Sequence, residues 1–132
     1  MKTEHIITNR VRYEETDQMG VVYYANYFIW FEMARTELFR VNDLEYKTIE
    51  EQDNLYIPVI EASCKYKVSL KYDDLIDIHV KLSQMTRIKI IFEYTIKKES
   101  IIVATGITEH VFTDHNSKIV SIPKKIKEHF SC

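Results

Sequence analysis

The chain has 132 residues, of which 45% are hydrophobic and 29% are charged, and its formal net charge is −2. This length fits one domain spanning residues 1–132, and the composition is that of a folded globular protein, which excludes a disordered tail. The small negative charge gives no general attraction to nucleic acid or to anionic lipid, so we expect neither as a partner.

The N-terminal residues 1–8 mix charged and polar side chains with two isoleucines, which predicts no signal peptide. No stretch approaches the length and apolarity of a membrane span. The two cysteines, Cys64 and Cys132, have no metal or redox spacing and predict no disulfide, and we expect no metal site. These features favour the cytoplasm.

The first predicted elements are a strand from Ile6 to Glu15, a turn at 17–20 and a helix from Asn26 to Val41. One face of the helix carries Tyr27, Trp30, Phe31, Ala34, Leu38 and Val41. Most of the remaining circumference is also apolar, with Phe28, Ile29, Met33 and Phe39. A helix apolar on most sides is usually buried on several sides, so we expect a sheet to wrap around it.

After a short second helix at 44–53, the hydrophobic period changes from 3.6 to 2 residues. The segment 61–70 alternates cleanly and predicts a half-buried strand. Further strands are predicted at 76–82, 88–96, 101–112 and 119–122, followed by Pro123 and a Lys-rich segment to Phe130. A strand, a long helix and then a run of strands predict an α+β fold with one antiparallel sheet packed on the helix.

Residues 10–27 read RVRYEETDQMGVVYYANY, and this block resembles the active-site signature of the 4-hydroxybenzoyl-CoA thioesterase family. That family includes the bacterial acyl-CoA thioesterases associated with the Tol-Pal system. The matching positions are Arg10, Val11, Thr16, Asp17, Gly20, Val21, Val22, Asn26 and Tyr27. The segment 31–37 is similar to the family's FERART-E helix, and Pro123 to Phe130 is similar to its usual ending.

The resemblance implies a hotdog fold, in which a curved antiparallel sheet of five or six strands wraps a long central helix. It also implies hydrolysis of a fatty or aromatic acyl-CoA, or of an acyl carrier protein thioester, to the acid and the thiol. No cofactor is expected, because coenzyme A (CoA) is part of the substrate. The family closes its active site between subunits, which implies a homodimer or a homotetramer.

Asp17 is the first candidate catalytic residue, and the resemblance agrees with its chemistry. A thioester needs an attacking oxygen, which Asp17 can supply or activate, and donors aimed at the developing oxyanion. The unpaired N–H groups near Val22 to Ala25, at the start of the helix, can provide those donors. Gly20 lets a backbone or a ligand approach closely. In the family the aspartate acts as a nucleophile or as a general base, and the sequence does not separate the two routes.

Two further residues are candidates for catalysis. Tyr24 stands where Tol-Pal-associated members often carry histidine, so it could orient the substrate or simply pack where the helix begins. Glu37 is the second candidate, because a helix carboxylate is catalytic in related branches of the fold. The alternative for Glu37 is an ordinary ion pair with Arg40 or Arg35.

Candidate substrate contacts lie on the helix and on the strands. Val22, Tyr27 and Phe31 are candidates beside the thioester and the acyl group. Arg87 and Lys89 are the preferred candidates for binding the phosphates of CoA, because they enter a central strand. Basic residues on solvated strand faces look the same, and Lys65, Lys67 and Lys71 are such residues.

Two other functions remain open at this point. A non-catalytic acyl-CoA-binding or scaffold protein of the same fold would bind thioesters without releasing thiol. A hydratase or dehydratase would want a histidine near the site, and residues 17–37 contain none. The preferred acyl group and the choice between CoA and carrier protein depend on pocket shape, which the sequence does not define.

Overall fold

A computed structural model describes residues 2–130, so Cys132 lies outside the described residues. The strands are β1 (Glu4–Arg10), β2 (Val59–Tyr66), β3 (Leu75–Met85), β4 (Lys89–Lys98), β5 (Ile101–Thr113) and β6 (Ile119–Val120). The helices are α1 (Asn26–Val41), α2 (Tyr46–Gln52) and α3 (Lys124–Phe130). No helix among the described residues is long and apolar enough to cross a membrane.

The six strands form one antiparallel sheet, which confirms the predicted α+β architecture. The order is β1-β3-β4-β5-β2, with β6 paired to β5. β4 is therefore central, whereas β1 and β2 lie at opposite edges. The tight connection between β4 and β5 is made by Glu99 and Ser100, which both have positive φ, 51° and 74°.

The helix α1 spans the predicted residues and forms the centre of the core. Phe31 is fully buried and stacks on Tyr94 of β4, with ring centroids 4.3 Å apart. Phe39 packs against Phe92 of the same strand at 5.9 Å. The helix approaches β5 so closely that a Cβ atom at Gly106 would overlap the Phe31 ring. Burying each large apolar side chain contributes about 1.5–3 kcal/mol relative to leaving it exposed.

One buried residue of α1 is charged. Arg35 lies in the core, where its Nε donates to the Tyr46 hydroxyl at 2.8 Å and its Nη1 donates to the Tyr94 hydroxyl at 3.0 Å. The chain of hydrogen bonds continues from Tyr94 to Thr108 at 2.6 Å and from Thr108 to Nε2 of His110 at 2.8 Å. We call Arg35, Tyr46, Tyr94, Thr108 and His110 the buried polar chain. It links α2, α1, β4 and β5.

Some predicted positions differ from the structure. Val41, predicted on the buried face of α1, is 40% exposed, and Ile29 is 49% exposed, so the sheet does not cover the whole helix. β1 ends at Arg10 instead of Glu15, because residues Tyr13–Glu15 turn into a short 3₁₀ helix. The other predicted elements are present, with ends that differ by no more than a few residues.

The prediction of a half-buried strand at 61–70 was wrong for this chain. β2 begins at Val59 and ends at Tyr66, and within it only Cys64 is even partly buried. β2 lies at an edge of the sheet, next to β5, and both of its faces are largely exposed. The Lys-rich segment after Pro123 forms α3, which the periodicity did not predict, and its Ile126 and Phe130 are buried.

Candidate active site

Asp17 lies at the start of a tight loop that the sequence correctly marked as a turn. Thr16 and Val22 form an antiparallel bridge, the Asp17 N–H donates to the Val21 carbonyl at 2.9 Å, and the Gly20 N–H donates to the Asp17 carbonyl at 3.0 Å. Gly20 has a φ of 80°, which side chains with a Cβ rarely adopt. No atom lies within 4 Å of a Cβ placed there, so the loop requires this glycine for its backbone conformation rather than for space.

A buried carboxylate holds this loop against α1. Glu15 is 4% exposed, and its Oε2 accepts from the indole N–H of Trp30 at 2.8 Å while its Oε1 accepts from the Arg12 N–H at 2.8 Å. The Glu15 carbonyl also accepts from the Asn26 side chain at 2.8 Å. The sequence analysis placed Glu15 in a strand and missed this role. The signal that could have found it is Trp30, whose buried indole N–H requires an acceptor.

The side chain of Asp17 lines a cleft of about 330 Å³. The cleft lies between the 17–20 loop, the start of α1 and the segment that follows β2. Asp17 is half-buried, and its Oδ1 accepts from the Met19 N–H at 2.8 Å. Four predicted site residues line this cleft together: Asp17, Val22, Tyr24 and Tyr27. Tyr66 and Lys67 also line it.

Two of the four backbone N–H groups at the start of α1 already have acceptors within the protein. The Val22 N–H donates to the Leu70 carbonyl at 2.8 Å, and the Tyr23 N–H donates to the Glu15 carbonyl at 2.9 Å. No acceptor among residues 2–130 takes the N–H groups of Tyr24 or Ala25. Of the four donors that the sequence suggested, these two are therefore available to a ligand.

Tyrosines form much of the cleft wall, and burial raises the pKa of two of them, Tyr27 and Tyr66. Burial, followed by the charge of nearby Cys64, raises the pKa of Tyr27 to about 12. Burial also raises the pKa of Tyr66, with a hydrogen bond to Cys64 as the next cause. The Tyr66 hydroxyl donates to the Tyr24 carbonyl at 3.0 Å. At Tyr27 and Tyr66 the wall therefore presents neutral phenols rather than negative charge.

The remaining predicted site residues lie outside this cleft in the single chain. Glu37 forms an ion pair with Arg40, as in the alternative considered for it above. Its side chain lines a different cleft, together with Met33. Phe31 is enclosed in the core. Arg87 precedes the central strand β4 and donates to the Ser121 hydroxyl at 3.0 Å, and Lys89 begins that strand.

Comparisons with known proteins identify the kind of molecule that this chain is similar to. Residues 11–130 match the profile of the Thioesterase-like superfamily. The acyl-CoA thioesterase YbgC of Haemophilus influenzae is 33% identical over 122 residues, which cover 92% of this chain and 90% of that protein.

Solved structures agree with this match. The crystal structure of a hypothetical protein from Aquifex aeolicus has a TM-score of 0.92 at 38% identity, and the alignment covers 96% of this chain and 99% of that one. A 4-hydroxybenzoyl CoA thioesterase complexed with 4-hydroxybenzoyl CoA has a TM-score of 0.91 at 16% identity, covering 98% and 100%. At that identity the likeness shows the fold alone, and it confirms the predicted hotdog fold.

Proposed function

The chain belongs to the thioesterase-like superfamily, and from this premise we propose that it hydrolyses acyl-CoA thioesters to the free acid and CoA. Asp17 is the catalytic carboxylate in this proposal. The observation that carries it is the cleft in which the Asp17 side chain lies beside the start of α1, where the N–H groups of Tyr24 and Ala25 have no acceptor. A carboxylate that lines the cleft and two free donors at the adjoining start of the helix are the groups that thioester cleavage needs.

The reaction has the same chemical requirements whichever role Asp17 takes. Either Asp17 removes a proton from the attacking water, or Asp17 attacks first and water then hydrolyses the mixed anhydride. In both routes the thioester carbonyl oxygen becomes an oxyanion, which the N–H groups of Tyr24 and Ala25 bind. The C–S bond then breaks and the thiolate takes a proton as it leaves. Because CoA is part of the substrate, the proposal includes no cofactor.

The rate enhancement expected from these groups is large enough for the hydrolysis of a thioester. Removing one oxyanion donor typically lowers turnover about 10²- to 10³-fold. A positioned general base contributes roughly 10²- to 10⁴-fold. Arg87 and Lys89 remain our candidates for the phosphates of CoA, and Lys67 joins them because it lines the cleft. Whether a carrier protein can replace CoA is part of the test below, and we place the protein in the cytoplasm.

We further propose that the active unit is a homodimer built on β2, or a tetramer made of two such dimers. Within residues 2–130, β2 pairs with β5 alone, so its other edge offers unpaired backbone groups. It exposes Val59 and Ile60, and Tyr66 to Ser69 at its end line the Asp17 cleft. Pairing two copies of β2 would cover this edge and bring the second subunit next to the cleft.

The test is a panel of short, long and aromatic acyl-CoA and acyl carrier protein substrates, assayed by release of free thiol. We expect wild-type protein to release thiol, and Asp17→Asn and Asp17→Ala to lower kcat at least about 10²-fold. The matched control is Asp73→Asn, an exposed aspartate in a turn outside the cleft, where asparagine tolerates the φ of 74°. Full activity in both Asp17 variants would remove Asp17 from the mechanism. Saturable acyl-CoA binding without thiol release by wild-type protein would favour the non-catalytic alternative.

A further inference from the structure

We infer that Tyr66 is a positioning residue for the oxyanion donors, a role that rests on the proposed thioester hydrolysis. Tyr66 is the last residue of β2, forty-two positions along the chain from Tyr24. Its hydroxyl donates to the Tyr24 carbonyl at 3.0 Å. This contact connects the edge strand to the start of α1, beside Asp17.

The ring of Tyr66 is held in place by two aromatic neighbours. It packs edge-to-face against Tyr27, with centroids 4.8 Å apart and an interplanar angle of 87°. It makes a second edge-to-face contact with Tyr24, at 6.4 Å and 90°. Such pairs stabilise their geometry by about 0.5–1.5 kcal/mol beyond the burial of area. The hydroxyl therefore has a defined position relative to the Tyr24 carbonyl.

Holding that carbonyl also orients an N–H group. The Tyr24 carbonyl and the Ala25 N–H belong to the same peptide unit, which is planar and trans, so the two groups point in opposite directions. A hydrogen bond that fixes the carbonyl thus fixes the direction of the Ala25 N–H, and it polarises that N–H as a donor. The Ala25 N–H is one of the two donors that have no acceptor among the described residues.

The helix alone holds this peptide weakly. The other group that donates to the Tyr24 carbonyl is the Tyr27 N–H, at 3.3 Å, which is longer than an ordinary N–H···O bond. Ala25, the cap residue before α1, has no polar side chain that could cap the helix and so help to fix its first turn. Tyr66 thus supplies the shorter of the two hydrogen bonds that orient the peptide carrying the Ala25 N–H.

Tyr66 acts through this peptide rather than on the substrate. A phenol has one hydrogen to donate, and that of Tyr66 is committed to the Tyr24 carbonyl. A misdirected donor harms the oxyanion, which exists only along the reaction, more than it harms the bound thioester. We therefore expect kcat to depend on the Tyr66 hydroxyl and KM to be nearly independent of it.

The test compares Tyr66→Phe with Tyr72→Phe in the thiol-release assay. Phenylalanine keeps the ring contacts and removes only the hydroxyl, and Tyr72 is an exposed tyrosine outside the cleft. A net hydrogen bond of about 0.5–1.5 kcal/mol corresponds to a fall in kcat of roughly twofold to tenfold. We expect this fall in Tyr66→Phe, with KM close to wild type, and no change in Tyr72→Phe.

The pH profile of kcat separates positioning from a direct proton transfer. Under the positioning role, Tyr66→Phe lowers kcat by the same factor at every pH. Unchanged kcat would overturn the inference, as would a change confined to KM or the loss of one limb of the profile. Suppose that wild-type protein and Asp73→Asn release thiol and Asp17→Asn does not, but Tyr66→Phe keeps full kcat. The positioning role of Tyr66 is then wrong, whereas the proposed function stands. If wild-type protein releases no thiol, the proposed function falls and the inference falls with it.

Discussion

The buried polar chain begins at a side chain that can only donate hydrogen bonds and ends at a histidine. The Tyr94 oxygen accepts from Arg35, the Tyr94 hydroxyl is hydrogen-bonded to Thr108, and Thr108 is hydrogen-bonded to Nε2 of His110. Nδ1 of His110 is buried and has no hydrogen-bond partner among the described residues. A charged ring would bury an Nδ1–H group without an acceptor, so the folded protein favours the neutral form of His110.

This arrangement predicts a loss of stability in mild acid. Burial, followed by the positive charge of Arg35, lowers the pKa of His110 to about 4, compared with about 6.5 in the unfolded chain. The unfolded state thus binds the proton more readily. The stability that the neutral His110 contributes is fully present above about pH 6.5 and is lost as the pH falls towards about 4. At that pH the loss amounts to about 3 kcal/mol.

The measurement is the free energy of unfolding in urea between about pH 7 and pH 4. We expect the wild-type protein to lose about 3 kcal/mol more over this range than His110→Gln, whose amide can still form a hydrogen bond with Thr108. His115→Gln, a change at an exposed histidine, should follow the wild-type curve. Parallel curves for wild type and His110→Gln would show that His110 does not titrate in this way.

At the scale of elements, the sequence predicted α1 best and β2 worst. The limits of α1 agreed because its apolar residues follow one helical period over the whole segment. Burial of β2 could not be predicted, because alternation shows that a strand has two faces but not whether it lies at an edge. Arg35 was considered only as a possible ion-pair partner of Glu37, since its actual partners Tyr94 and Tyr46 come from other elements.

In the active site, too, features that depend on neighbouring residues were predictable from the sequence, whereas contacts between distant elements were not. The loop of Asp17 and Gly20 was predictable, because its turn residues and the family signature are adjacent in the chain. Tyr66 reaches the cleft from a strand more than forty residues away, and no local pattern indicates that contact. Arg87 and Lys89 were chosen for their central strand, which the structure confirms as β4, but that strand does not bring them into the Asp17 cleft.

The close packing of α1 on β5 leads to a prediction about Gly106. Gly106→Ala should lower the free energy of unfolding by about 1–3 kcal/mol, because the added methyl group displaces the Phe31 ring in a filled core. The loss should be smaller when the same change is made in a Phe31→Leu background, where the shorter side chain leaves room. Urea denaturation of the four proteins measures this coupling. Equal losses in both backgrounds would contradict it.

For the whole molecule, the two edges of the sheet differ in what they offer to a second copy. β1 carries Glu4, His5 and Arg10, and such charges discourage pairing, whereas residues 59–60 of β2 are exposed and aliphatic. We expect Ile60→Lys to yield a monomer with little thiol-release activity. Ile6→Lys is the matched control, because Ile6 is 57% exposed on the other edge, and it should keep both assembly and activity.

Light scattering gives the molar mass of each variant, and the thiol assay gives its activity. A wild-type protein that is monomeric and active would contradict assembly through β2. Dissociation caused by Ile6→Lys, with Ile60→Lys unaffected, would move the interface to β1.

The contact between Glu15 and Trp30 also allows movement of the 17–20 loop to be followed by fluorescence. The chain contains one tryptophan, and its indole N–H touches the carboxylate two positions before Asp17. Tryptophan fluorescence therefore comes from a single indole, whose emission wavelength responds to water reaching that contact. Docking or departure of a ligand that shifts the 17–20 loop can be followed in real time without attaching a dye.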